Sequence, residues 1–103
     1  MTDSAGPIAV QVPSWLEPHT ARFLANRRRD VPSILGAADA GDFAAMKRLG
    51  HNLKGAGTEF GFAGIDEIGR ALEEAALTGD AAGLRAAASS LQSYLDSLQI
   101  TYV

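Results

Sequence analysis

The chain has 103 residues, of which 47% are hydrophobic and 20% are charged. These proportions are typical of one small globular domain and exclude an enzyme that combines a cofactor domain with a substrate domain. The formal net charge of −3 argues against a nucleic-acid-binding protein. The chain lacks cysteine, so it has no disulfide framework, thiolate metal site or cysteine nucleophile, and its two histidines do not predict a metal centre.

No apolar run reaches the roughly 18 residues that a membrane-spanning helix needs. The first residues also lack the basic and apolar pattern of a signal peptide. We therefore expect a cytoplasmic protein that does not associate with a membrane.

Both ends of the chain differ from its alanine-rich middle. Within the N-terminal extension, residues 1–13, alternating apolar residues predict a short strand over residues 8–12. A similar alternation predicts a strand in the C-terminal extension, residues 100–103. A lone two-stranded ribbon is marginally stable in water, so we expect the two strands to pair and to pack on the rest of the domain. The alternative is a frayed N-terminus and a longer last helix.

Between these extensions, over residues 14–99, apolar residues recur at the three- and four-residue steps of amphipathic helices. Short connections make sequential helices antiparallel neighbours, so we predict an all-α fold, an antiparallel four-helix bundle. Such a bundle can bury its core as a monomer. Pro32 lies inside the first helix and is expected to kink or break it. The predicted helices cover residues 18–40, 42–60, 65–77 and 81–99.

Two of the predicted turns carry the same signal, Gly41-Asp42 and Gly79-Asp80. In each, the glycine is suited to the left-handed conformation that ends a helix. The aspartate that follows is suited to cap the next helix by accepting a backbone N–H. These turns separate the first helix from the second and the third from the fourth.

The second predicted helix departs from the pattern of an ordinary bundle helix, because it contains Gly50, Gly55 and Gly57. Glycine costs about 1 kcal/mol relative to alanine inside a helix. In a chain so rich in alanine, these glycines have no evident packing purpose, and such departures concentrate at functional sites.

His51 lies in this segment and is predicted to point away from the core. A helix turns about 100° per residue, which places His51 roughly 160° from the apolar Leu49 and Leu53. Residues three and four positions apart are neighbours on a helix. The neighbours of His51 on its own face are Lys47, Arg48, Lys54, Gly55 and, two turns on, Thr58.

These neighbours of His51 suit a histidine that carries a phosphoryl group. Imidazole is nucleophilic near neutral pH, and neighbouring cations favour its neutral form. Lys54, and less directly Lys47 and Arg48, are placed to offset the charge of the phosphoryl group. Gly55 presents no side chain and leaves space for a partner surface. From the residues alone, the alternative is an exposed histidine on a basic helix face.

A family resemblance adds to this interpretation. The segment from His51 to Ala56, HNLKGA, resembles the H-x-[LM]-K-G-[SA] motif of histidine phosphotransfer (HPt) domains. The resemblance extends from about residue 16 to residue 98. Its further blocks, in matching order, are residues 23–28 (FLANRR), 41–43 (GDF), 60–62 (FGF), 67–69 (EIG) and 72–73 (LE).

The resemblance implies a four-helix bundle in which His51 accepts the phosphoryl group, Lys54 stabilises its charge and Gly55 admits the partner. It also implies a phosphorelay partner, the receiver domain of a response regulator or of a hybrid histidine kinase. The receiver supplies Mg²⁺, so no cofactor or metal is expected in this chain. The residues predicted to contact the receiver are Lys47, Arg48, Asn52, Thr58 and Phe62.

Other functions remain open at this point. A histidine-kinase dimerisation helix usually has an acidic residue after its histidine and a proline soon after, whereas Asn52 follows here and no proline occurs after Pro32. The chain also has no Gly-rich nucleotide-binding segment, so ATP-dependent kinase activity is not expected. The main alternative is an adaptor that binds receiver domains without being phosphorylated. A helical module without a receiver partner is a third hypothesis.

Overall fold

The computed structural model describes residues 7–103 as four helices, preceded by one short strand and followed by another in the chain. The predicted four-helix bundle is therefore confirmed. The predicted strand at 8–12 is present, whereas residues 1–6 of the predicted extension lie outside the described residues. The elements are β1 (Ile8–Val12), a 3₁₀ turn (Ser14–Leu16), α1 (Glu17–Ala40), α2 (Phe43–Phe60), α3 (Ala63–Leu77), α4 (Ala81–Ser97) and β2 (Leu98–Tyr102).

All four helices contribute side chains to one hydrophobic core. Its largest fully buried apolar side chains are Ile34, Leu53, Phe62, Ile65, Leu72, Leu84 and Leu91. None of the helices in the described part of the chain is both long and apolar enough to span a membrane.

The two predicted Gly-Asp turns form as expected. Gly41 has a φ of 72° and Gly79 a φ of 66°, the left-handed region that glycine tolerates best. Asp42 Oδ1 accepts the backbone N–H of Ala45 at 3.2 Å, and Asp80 Oδ1 accepts that of Gly83 at 2.9 Å. Both aspartates are therefore N-caps, which satisfy donors that the first turn of a helix leaves unpaired.

An Asp80→Ala variant is expected to lose about 1 kcal/mol of unfolding free energy, because the cap of α4 disappears. In a domain of this size, this loss lowers the melting temperature by about 5 °C. Asp39→Ala is a matched control, because Asp39 is exposed, caps no helix and pairs with the exposed Arg85 at 2.7 Å. Such surface pairs contribute little, so equal melting temperatures of the two variants would contradict the capping role.

The terminal strands pair with each other in parallel, with Ile8 opposite Leu98 and Val12 opposite Tyr102. Parallel strands need a long crossover, and here the whole bundle forms it. The last helix was predicted to end at about residue 99, and α4 ends two residues earlier, at Ser97, where Leu98 begins β2. The ladder with β1 supplies hydrogen bonds that another helical turn would otherwise provide.

Of the kink or break predicted at Pro32, the break does not occur, since α1 continues through Pro32 to Ala40. Val31 and Ile34 on either side are buried in the core. Their packing holds the helix together across the hydrogen bond that proline cannot donate.

Glycines bring α2 and α3 unusually close together. A Cβ on Gly50 of α2 would lie 2.6 Å from the backbone N of Glu73 and 2.7 Å from the carbonyl O of Gly69. A Cβ on Gly69 of α3 would lie 2.7 Å from Cβ of Leu53. Real Cβ atoms do not approach other atoms so closely, so the backbones of the two helices are in contact at this level. The interpretation that Gly50 has no packing purpose is therefore wrong.

Candidate functional site

His51 lies near the middle of α2 and its side chain is 72% exposed. Its neighbour Leu53 is only 1% exposed and belongs to the core. The predicted orientation of His51 away from the core is therefore confirmed. An imidazole in this position is open to a second macromolecule.

Lys54 lies one helical turn after His51, but its ammonium group is bound to a carboxylate from another helix. Lys54 Nζ is 2.7 Å from Glu73 Oε1 of α3. The other carboxylate oxygen, Oε2, lies 3.6 Å from Nδ1 of His51. That distance is too long for a direct hydrogen bond, but it is short enough for the carboxylate to act on the imidazole electrostatically.

The carboxyl group of Glu73 is held in its ionised form. The hydrogen bond from Lys54 lowers the pKa of Glu73 below its usual value, although burial partly opposes this effect. The positive charges of Lys54 and Lys47, and of His51 when it is protonated, lower the pKa of Glu73 further. A carboxylate, a lysine and an imidazole thus share one charged site.

Gly55 and Gly57 are close in the sequence, but they lie in different surroundings. A Cβ on Gly55 would meet nothing within 4 Å, so this glycine leaves open surface beside His51. A Cβ on Gly57 would lie 2.7 Å from the carboxylate of Asp66 and 2.9 Å from its backbone N. Gly57 is therefore explained by packing against α3, whereas nothing in the packing of residues 7–103 requires a glycine at position 55.

The structure places most of the predicted partner-contacting residues on the surface around His51. Lys47, Arg48 and Asn52 are exposed and line a shallow depression of about 440 Å³ together with His51 and Glu73. Basic side chains thus form one side of the depression.

Thr58 is exposed further along α2, where its side chain is tied to the next helix. Its hydroxyl donates to Asp66 Oδ2, and its backbone N–H donates to Asp66 Oδ1 at 3.1 Å. Thr58 therefore helps to fix the connection between α2 and α3.

Phe62 corrects the predicted contact surface. Its side chain has 0% exposure and belongs to the core. Its ring stacks on that of Phe23 at a centroid distance of 6.0 Å, and Phe60 stacks on the same ring at 4.3 Å. A residue so buried cannot contact a receiver in this conformation.

Sequence reasoning missed Glu73 as a member of the site. Spacing along α2 reveals the neighbours of His51 on that helix, but not the residues that α3 brings to it. One signal was present, because Glu73 lies four residues after Gly69 and three before Ala76, which are both buried. Among residues 7–103, no group of three or more His, Asp or Glu side chains is arranged to hold a metal ion.

The comparisons with known proteins agree with this geometry. The model of the Hpt domain family matches residues 20–101, which is most of the chain. The chain therefore belongs to the Hpt domain family. Members of this family are phosphocarriers rather than kinases, serve histidine phosphotransfer in phosphorelays and interact with receiver domains. Searches of the curated proteins and of the solved structures found no significant match.

Proposed function

We propose that His51 accepts a phosphoryl group from an aspartyl phosphate of one receiver domain and passes it to another. The observation that carries this proposal is the exposed imidazole of His51, with Lys54 and the open position of Gly55 on the same helix face. The membership of the chain in the Hpt domain family supports the same role.

Nε2 is the reacting nitrogen in this proposal, because Nδ1 is the ring nitrogen near Glu73. The lone pair of Nε2 attacks the phosphorus of the aspartyl phosphate. The N–P bond forms as the P–O bond to the aspartate breaks, and the aspartate leaves as a carboxylate. Transfer to the next receiver is the reverse step on a second aspartate.

Lys54 and the receiver both stabilise the negative charge of the phosphoryl group. An ammonium group has three donors, so Lys54 can bind the phosphoryl group while it remains bound to Glu73. Mg²⁺ is expected in the acidic pocket of the receiver, and this chain contributes no metal or cofactor to the transfer. The basic Lys47 and Arg48, together with Asn52 and Thr58, are the proposed contacts around the histidine.

The test is phosphoryl transfer from a panel of receiver domains that have been phosphorylated with acetyl phosphate in the presence of Mg²⁺. We expect at least one receiver to label the chain, and the label to be labile in acid and stable in alkali, as a phosphoramidate is. Mass spectrometry should assign it to the peptide that contains His51. Label on another residue would overturn the assignment, and a receiver that binds without any transfer would favour the adaptor.

Gly55→Leu is expected to slow transfer without loss of the fold, because a side chain at this open position obstructs the approaching receiver. Since displacement of reacting groups by about 1 Å has large effects, we expect a reduction of roughly ten- to a hundredfold. Gly36→Leu is the matched control, since a Cβ on Gly36 of α1 also meets nothing within 4 Å. Equal transfer rates of the two variants, measured with the same receiver, would show that Gly55 is not at the interface.

A further inference from the structure

Glu73 places a negative charge where a phosphocarrier would be expected to accumulate positive charge. Its carboxylate contacts Lys54 at 2.7 Å and lies 3.6 Å from the imidazole of His51. The side chain of Glu73 is only 17% exposed, so the carboxylate is held in place at the base of the site.

The position of Glu73 depends on the close packing of α2 and α3. Gly50 lies directly before His51 in the chain, and the backbone of Glu73 lies against it. This contact leaves the Glu73 side chain beside both Lys54 and His51. The glycine contact thus brings a third charged group to the site.

We infer that Glu73 is a positioning residue that weakens the hold of the domain on the phosphoryl group and thereby favours onward transfer to a receiver. The inference rests on the proposed role of His51. It goes beyond that role, because it states that one residue of α3 influences the equilibrium between phosphohistidine in this chain and aspartyl phosphate in the receiver.

Two electrostatic effects act in this direction. The carboxylate neutralises part of the positive charge of Lys54. Lys54 therefore attracts the phosphoryl group less strongly than an unpaired lysine would. It also repels the phosphoryl group itself, which carries up to about two negative charges near neutral pH. Because His51 and Lys54 are partly exposed to water, each effect is moderate.

The experiment compares the wild type with Glu73→Gln, which removes the charge and keeps the shape. Each protein is mixed with a receiver that labels the wild type, in excess Mg²⁺, and the ratio of phosphohistidine to aspartyl phosphate is measured before hydrolysis becomes significant. We expect Glu73→Gln to shift this ratio toward phosphohistidine by roughly fivefold. The shift should decrease as salt concentration rises, because salt screens charges but does not change a steric effect.

Glu74→Gln is the matched control, since Glu74 is the next residue of α3, is exposed and lines a different surface with Thr78. It should leave the ratio unchanged. In a Lys54→Gln background, the effect of Glu73→Gln should be smaller, because only the direct repulsion of the phosphoryl group by Glu73 remains. An unchanged ratio for Glu73→Gln, or a shift of equal size for Glu74→Gln, would overturn the inference. A wild type that takes no label on His51 would instead overturn the proposed function.

Discussion

His51→Gln is expected to take no phosphoryl label from any receiver that labels the wild type. Glutamine has an amide in place of the imidazole, so it has no nitrogen lone pair that can attack phosphorus. The fold should be retained, because the His51 side chain is 72% exposed and contributes nothing to the core. The measurement is labelling over time, combined with thermal unfolding to establish that both proteins are folded.

His19→Gln is the control for this variant, because His19 is the only other imidazole and is exposed near the start of α1. It should be labelled at the wild-type rate. Full labelling of a folded His51→Gln variant would place the acceptor elsewhere. Loss of label in both variants would show that the assay responds to something other than the acceptor.

Gly50→Ala is expected to destabilise the domain, because position 50 of α2 has no room for a methyl group. The new Cβ would meet the backbone of Glu73 and Gly69, at 2.6 and 2.7 Å, and backbone atoms cannot rotate away. Overpacking of this kind costs about 3 kcal/mol, of which the better helix propensity of alanine returns about 1 kcal/mol. A net loss of about 2 kcal/mol lowers the melting temperature by about 10 °C.

Gly55→Ala is the matched comparison on the same helix, because its Cβ meets nothing within 4 Å. We expect it to raise the unfolding free energy by up to about 1 kcal/mol through helix propensity alone. Thermal or denaturant unfolding of the two variants tests the pair. A Gly50→Ala variant as stable as Gly55→Ala would mean that α2 and α3 are further apart than the structure has them.

Local sequence patterns were sufficient to predict the turns and the direction in which His51 points. The left-handed glycines at 41 and 79 and the aspartate caps that follow them depend on hydrogen bonds within a few residues. The exposure of His51 follows from the helical period and the core position of Leu53. These features need no information about how one helix meets another.

Predictions that depended on contacts between elements were less reliable. Phe62 has the aromatic character of a contact residue, yet it stacks with Phe23 inside the core. The last helix has enough helical periodicity to reach residue 99, but pairing with β1 turns Leu98 into a strand residue. In both cases, the environment that decides the outcome is far away in the sequence.

The sequence by itself determined the class of fold, the helix that carries His51 and the surface on which Lys54 and Gly55 lie. Only the tertiary structure decided which glycines are structural and which carboxylate reaches the histidine. The physical reason is distance: helical periodicity specifies the direction of a side chain from its own axis. The separation of two axes is instead determined by what packs between them, and here Gly50 and Gly69 allow backbone contact. That contact brings Glu73 to Lys54 and His51.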